Sequence, residues 1–318
     1  MVDRVGQQLG NYQLIQLLGQ GSLAEVYLGG HIHLGTLAAI KVLHTQLKSE
    51  DIAPFRREAR IIAHLIHPNI VRVLDFGIED QTPFLVMDFA PHGTVRQHYP
   101  RGTLLPIPTA ISYTRQVAGA LQFAHDERVV YRDVKPENLL LGWSHEVLLS
   151  DFGIAVLTLR PHVQSPYHTA GTLRYMAPEQ LHGKPCPASD QYALAIVLYE
   201  WLCGRCPFQG SSELEVAMQH LSHPPQPLHE LVPTIPAAIE QVVDKALAKD
   251  PQERFASIRD FAEELERAGV SEEITTSAPP LEFEPCSSTE TPHNHSADSF
   301  STLPTSSSDE WLLLDDGT

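Results

Sequence analysis

Over the first ninety residues, short runs rich in β-branched and aromatic side chains alternate with polar turns. Residues 12–18, 25–28, 37–43, 71–77 and 84–89 have the length and composition of strands. One stretch has a different period. Phe55, Ala59, Ile62 and Leu65 recur at steps of four and three, which puts them on one stripe of a helix over 52–65, closed by the turn His67-Pro68-Asn69. Beyond Pro91 the helical period takes over. Residues 109–127 keep Ile111, Val117, Leu121 and Ala124 near one face, and 188–202 are apolar almost all round, as in a helix buried inside a domain. Shorter helices are predicted at 213–221, 237–247 and 257–268, separated by Pro-rich turns such as the one at 223–227. The pattern predicts an α+β protein: a small β-rich lobe at about 11–90 and a larger helical lobe at about 91–268, after an N-terminal extension of ten residues.

Composition adds a third region. Of 318 residues, 42% are hydrophobic and 19% charged, the balance of a globular chain. From residue 269 the sequence turns to Ser, Thr, Pro and acids. Residues 271–318 hold ten Asp or Glu and no Lys or Arg, so −10 of the net −17 lies there and −7 on the first 270 residues. Such a segment buries too little apolar surface to offset its ordering entropy, so a disordered tail is expected over 269–318. It ends on an apolar patch among acids, Trp311-Leu-Leu-Leu-Asp-Asp, read first as a frayed terminus and second as a docking element.

An acidic chain is a poor match for nucleic acid or an anionic membrane, whose phosphates need Lys and Arg opposite them, and neither is expected as a partner. The longest apolar run, 192–203, is interrupted by Glu200 and falls short of the roughly 20 residues of a bilayer span. The N-terminus lacks a basic-then-apolar leader. A cytoplasmic location with reduced cysteines is therefore expected, the input coming from inside the cell or from a partner. Cys203 and Cys206 have a C-x-x-C spacing without a second pair, which reads as a helix end and a turn rather than a metal site.

Three segments carry candidate chemistry. Leu18, Gly19, Gln20, Gly21, Ser22, Leu23, Ala24, Glu25 and Val26 form a glycine-bearing turn between two strand-like runs, where backbone N–H groups can approach phosphate oxygens without a Cβ in the way. No helix opens directly after it, unlike a dinucleotide-binding turn. Lys41 interrupts an apolar strand and needs an anion: Glu58 on the amphipathic helix, a bound phosphate, or water reached by snorkelling. Third, Tyr131-Arg-Asp-Val-Lys-Pro-Glu-Asn138 is followed by Asp151-Phe-Gly153 and, further on, by Ala177-Pro-Glu179.

These segments together resemble the eukaryotic-type (Hanks-type) protein kinase family in its bacterial form, over about residues 10–265. The resemblance implies a two-lobed fold that uses ATP and Mg²⁺, with Mn²⁺ as a substitute ion. It implies Asp133 as the base, Lys135 as a cation beside the transferring phosphoryl group, and Thr172 bridging the two. Lys41 would contact the α- and β-phosphates, held by Glu58, and Asn138 and Asp151 would be the metal ligands. The glycine turn would cover the phosphates, with Val26, Ala39 and Leu140 around the adenine, Met87 behind it, and Asp88 to Ala90 as the hinge. Lys-Pro-Glu-Asn and Gly171-Thr172 are similar to the Ser/Thr-directed branch, so protein substrates are implied. Further implications are a Glu179–Arg254 pair, Asp190 accepting N–H groups of the catalytic loop, and an interlobe stack of Ile62, Leu74, Phe152 and Tyr131. Ala24 departs from the third glycine of the turn, Tyr131 from the commoner His, and Val156 from a basic residue that would bind an activation-segment phosphate.

All five polar groups the reaction requires are present, which favours an active enzyme over a nucleotide-binding pseudokinase. The Ala-Pro-Glu segment disfavours a small-molecule phosphotransferase. Thr158, Ser165, Thr169 and Thr172 lie between Asp151 and Glu179. Autophosphorylation is expected at Ser165 or Thr169, Thr169 favoured, with a dimer as the route to trans transfer.

Overall fold

The computed structural model describes residues 4–152 and 173–270, the side chains of Ser49 and Glu58 excepted. Six strands form an antiparallel sheet: β1 (Gln8–Leu9), β2 (Tyr12–Gln20), β3 (Ala24–His31), β4 (Leu37–Leu43), β5 (Val73–Glu79) and β6 (Thr82–Asp88), in the spatial order β1-β2-β3-β4-β6-β5. The sheet thus begins inside the expected N-terminal extension, where Leu9 is buried against Leu14 and Phe84. Alternation sorts the central strands between two cores. Ala38, Ile40, Val42, Phe84 and Val86 fill a small core on one face, whereas Ala39, Leu43, Leu85 and Met87 join the main core on the other. Parity places Lys41 on the main-core side.

Helix α1 (Ser49–Ala63) lies on that side and buries the expected stripe, Phe55, Ala59 and Ile62, with Leu65 just past its end. It starts three residues earlier than periodicity predicts, where the Asp51 carboxylate accepts the Lys48 N–H. One expectation fails. Leu74 is 43% exposed, and its neighbour Val73 takes the buried place with Ile62, Tyr131 and Phe152. Both residues are apolar, and a slip of one position along a strand exchanges its faces.

The helical lobe contains α2 (Val95–His98), α3 (Ile107–Asp126), α4 (Pro178–Leu181), α5 (Pro187–Cys203), α6 (Glu213–Ser222), α7 (Leu228–Leu231), α8 (Ala237–Ala246) and α9 (Ile258–Val270). Residues Ser189 to Leu202 of α5 are all buried, enclosed by α3, α8 and α9 among others. Cys203 is the last residue of α5, and Gly204, at φ 79°, turns the chain in the left-handed region that glycine enters without a Cβ penalty. A hairpin of β7 (Leu139–Leu141) and β8 (Val147–Leu149) follows the segment at 131–138. The N–H of Val71 donates to the Leu149 carbonyl, and that of Leu149 to the Asn69 carbonyl, so the hairpin is tied to the chain entering β5. Among the described residues no helix is long and apolar enough to cross a membrane.

Candidate active site

The glycine turn is a hairpin between β2 and β3, closed by the Gly21 N–H donating to the Ala24 carbonyl at 2.8 Å. Leu18 through Leu23 are exposed, while Ala24 is buried. Glu25 is buried too, and its carboxylate is taken by the Tyr27 hydroxyl at 2.9 Å and the Arg4 guanidinium at 3.7 Å. Val26 pairs across the sheet with Lys41, and Ala39 with both Leu28 and Met87. The turn, the lysine and the Val26, Ala39 and Met87 part of the expected adenine wall therefore share the four adjacent strands β2, β3, β4 and β6, with Leu140 on the separate β7–β8 hairpin. At the end of β6, the Asp88 N–H donates to the Arg72 carbonyl at 3.0 Å. Burial pushes the Asp88 carboxyl above its usual range, against the pull of Arg72. Ala90 is buried, and Leu140 on β7 packs on the main core.

The buried Lys41 finds its anion across the cleft: Nζ lies 2.8 Å from Asp151 Oδ1, linking residues 110 positions apart. The Glu58 side chain, expected as its partner, lies outside the described residues, as do Gly153 and Thr172. Asp151 holds φ 61° and Arg132 φ 73°, left-handed conformations that non-glycine residues adopt at a cost of about 1–3 kcal/mol each. The strain at Arg132 is clamped from three sides. Its N–H donates to Asp190 Oδ1 at 2.7 Å, its carbonyl accepts from Gln180 Nε2 at 2.7 Å, and the preceding Tyr131 N–H donates to Asp190 Oδ2 at 2.9 Å. Asp190 is fully buried on α5, and His125 Nε2 contacts its Oδ2 at 2.7 Å. The expected role of Asp190 is thus visible, whereas Gln180 and His125 had no sequence signal beyond being polar.

This clamp presents Asp133. Lys135 Nζ donates to both carboxylate oxygens, at 2.9 and 2.7 Å, and Asn138 Nδ2 donates to Oδ2 at 2.8 Å and to the Asp133 carbonyl at 2.9 Å. Burial nevertheless raises the Asp133 carboxyl above its ordinary range, outweighing Lys135 and Asn138, and Asp151 adds to the rise. The Asp133 side chain is still 37% exposed, so a hydroxyl can reach the carboxylate while Lys135 and Asn138 hold it in place. Behind it, the Tyr131 hydroxyl donates to the Ser150 carbonyl at 2.6 Å and its ring meets Phe152 edge-on at 4.8 Å.

Asn138 and Asp151 offer one carboxamide and one carboxylate. Among the described residues no group of three His, Cys, Asp or Glu could hold a metal by itself. Two oxygen donors fit a hard divalent cation, Mg²⁺ or Mn²⁺, which keeps several waters and takes the rest of its ligands from substrate phosphates.

Sequence reasoning also missed a network beside the segment 131–138. Arg96 Nε donates to Glu137 Oε1 at 3.0 Å and Nη2 to Glu200 Oε2 at 2.9 Å and to the Tyr175 hydroxyl at 2.6 Å. Glu200, which interrupts the longest apolar run, is thereby a buried charge with a cation. That interruption was the available signal.

A family profile described as "protein kinase domain" matches residues 12–265. The chain is similar to serine/threonine-protein kinase PrkC of Bacillus subtilis (34% identical over 268 residues, 83% of this chain and 41% of the relative). It is similar to a probable serine/threonine-protein kinase PknB of Lactococcus lactis (35% over 254 residues, 79% and 40%) and to serine/threonine-protein kinase PknA of Mycobacterium tuberculosis (36% over 291 residues, 88% and 67%). The chain thus spans about two fifths of the length of the first two relatives.

Proposed function

The chain belongs to the protein kinase domain family, and on that premise we propose that it transfers the γ-phosphate of ATP to Ser and Thr hydroxyls of proteins. The observation that carries this reading is the geometry at Asp133: a carboxylate held by Lys135 and Asn138 next to the strained, clamped Arg132, with its side chain still 37% exposed. Asp133 accepts the proton of the attacking hydroxyl. Lys135, two residues away, balances negative charge beside it, and Lys41 is positioned to meet phosphate oxygens on the opposite wall. ATP supplies the phosphoryl group, and Mg²⁺, or Mn²⁺ in its place, neutralises charge on the phosphates; Asn138 and Asp151 would hold the ion. The turn at 18–26 would cover the phosphates, and Val26, Ala39, Met87 and Leu140 would enclose the adenine. Because the Asp88 N–H is engaged, hinge contacts fall to the Asp88 carbonyl and the Ala90 backbone.

Incubation with ATP, Mg²⁺ and a generic protein substrate, followed by phosphoamino-acid analysis, tests the proposal. Phosphoserine and phosphothreonine are expected. Nucleotide binding without transfer would make the chain a pseudokinase. We further propose a cytoplasmic signalling enzyme that autophosphorylates in trans through a transient dimer, with Thr169 favoured over Ser165. Thr158, Ser165, Thr169 and Thr172 lie outside the described residues, so this rests on sequence alone. Mass spectrometry after ATP treatment is expected to find phosphate at Thr169 or Ser165, and the Ser165→Ala, Thr169→Ala double variant to be less active. Phosphate confined to 271–318, with full activity in that variant, would contradict it.

A further inference from the structure

Away from the cleft, a groove of about 750 Å³ opens between α1 and the segment that follows α3. Its cationic wall is Arg57 and Arg60 from α1, faced by Arg128, with His64 just past the end of α1 also lining it. Glu127 is the one acid among the residues lining it. Arg57, Arg60 and Arg128 are exposed, and among the described residues none has an acid within ion-pair distance. In a chain whose first 270 residues carry −7, three such guanidinium groups on one concavity are a local reversal of sign. The floor is apolar: Leu65 is buried, Val129 half-buried, and Ile61, 48% exposed, projects a large side chain to solvent.

Charge and floor together select an occupant. A small anion would use the guanidinium groups and leave Ile61 and Val129 uncovered. Nucleic acid needs cations along a longer track, and the surrounding acidic domain repels its backbone. A short peptide satisfies both features when its acids flank a bulky apolar side chain. We propose that this groove is a docking site for such an acidic, apolar-anchored segment of a partner protein. One wall is the helix that carries Glu58. The other runs directly into Tyr131 and Asp133, so the occupant bridges the two elements that frame the cleft. Docking is read by binding and not by phosphate transfer, so its failure would leave the proposed activity standing, and loss of activity would leave docking standing.

The test is fluorescence anisotropy on the full chain with three probes. These are a dye-labelled octapeptide of Glu and Asp around a central Leu-Leu, the same peptide with Ser-Ser at the centre, and a single-stranded oligonucleotide. The Leu-Leu peptide is expected to bind most tightly. Its affinity should fall about tenfold or more in the Arg57→Glu, Arg60→Glu double variant and about threefold in Arg128→Gly, losses in the range for interfacial charges. Arg128→Gly keeps the reading available if the double variant does not fold, because glycine adopts the φ of 64° at that position without strain. Three outcomes would overturn the proposal: equal affinity for the Leu-Leu and Ser-Ser peptides, unchanged affinity in the folded variants, or tighter binding of the oligonucleotide with the same dependence on these arginines.

Discussion

Two ion pairs of the helical lobe have the same chemistry and opposite surroundings. Glu179 and Arg254 are joined by two bonds, Nη1 to Oε1 at 2.8 Å and Nη2 to Oε2 at 2.9 Å. Arg254 has no side-chain exposure, and its remaining donors reach the carbonyls of Ala248, Ala188 and Lys249. Asp133 and Lys135 also touch through two bonds, yet the Asp133 side chain is 37% exposed and its backbone neighbour is strained. Their pKa values move in opposite directions. For Glu179, burial pushes upward, but the hydrogen bonds of Arg254 and Ser189 win and hold it below the usual carboxylate range. For Asp133, burial wins and the carboxyl goes up. Each carboxylate accepts three hydrogen bonds from N–H or O–H donors, so donor count does not separate them. Glu179 is closed in with a cation that has no exposure and acts as a strut, while Asp133 keeps access to a reactant.

The sharpest way to break this comparison is at the cleft. Lys41→Met removes a cation that the fold does not need for packing, since methionine fills the same apolar stem. Turnover is expected to fall below detection while thermal melting stays near wild type. Full activity would mean that another cation meets the phosphates.

The strut should respond in the opposite way. Arg254→Met leaves Glu179 buried without its partner, which costs about 3–5 kcal/mol. The chemical-denaturation midpoint is expected to drop accordingly, and any activity lost should return when the variant is assayed well below its melting temperature. A small change in midpoint would show that Ser189 and water suffice for Glu179.

A smaller effect is acid sensitivity. Burial, together with Lys249, holds the His220 imidazole down to about 3, while its Nδ1 sits 2.9 Å from the Tyr192 hydroxyl. The fold keeps it neutral and the unfolded chain protonates it below about 6.5, so the unfolded state binds the extra proton and stability falls as pH drops from there toward 3. By pH 5 the loss is up to about 2 kcal/mol. His220→Phe shifts overall stability by a pH-independent amount but should lose about that much less between pH 7 and 5 in denaturant titrations. Identical slopes for both proteins would contradict the assignment.

What could be read from the sequence follows the range of the interactions. Asp133, Lys135 and Asn138 lie within six residues, so their spacing alone sets their mutual reach, and the structure joins them by direct bonds. The stripe of α1 and the all-round burial of α5 were legible because each repeats one signal over many turns. The Lys41–Asp151 bond was not, since strand parity gives a lysine a face but not a partner 110 residues away. Nor was the Arg96 network, which gathers groups from α2, the segment 131–138, the turn before α4, and α5. Val73 and Leu74 are indistinguishable by hydrophobicity, and only the pairing of β5 with β6, which carries a register shift between Val73 and Asp75, decides which one is buried. The three-residue strands β7 and β8 are too short to show a period.

The central claim is that Asp133 does chemistry where Glu179 does structure, and single-turnover phosphate transfer by Asp133→Asn tests it most directly. Asparagine keeps the size and one acceptor of the aspartate but cannot take a proton. With nucleotide affinity within a few fold of wild type and an unchanged melting temperature, transfer is predicted to slow by about a hundredfold or more, the weight of a general base. Transfer at the wild-type rate in that folded, nucleotide-bound variant would contradict the account.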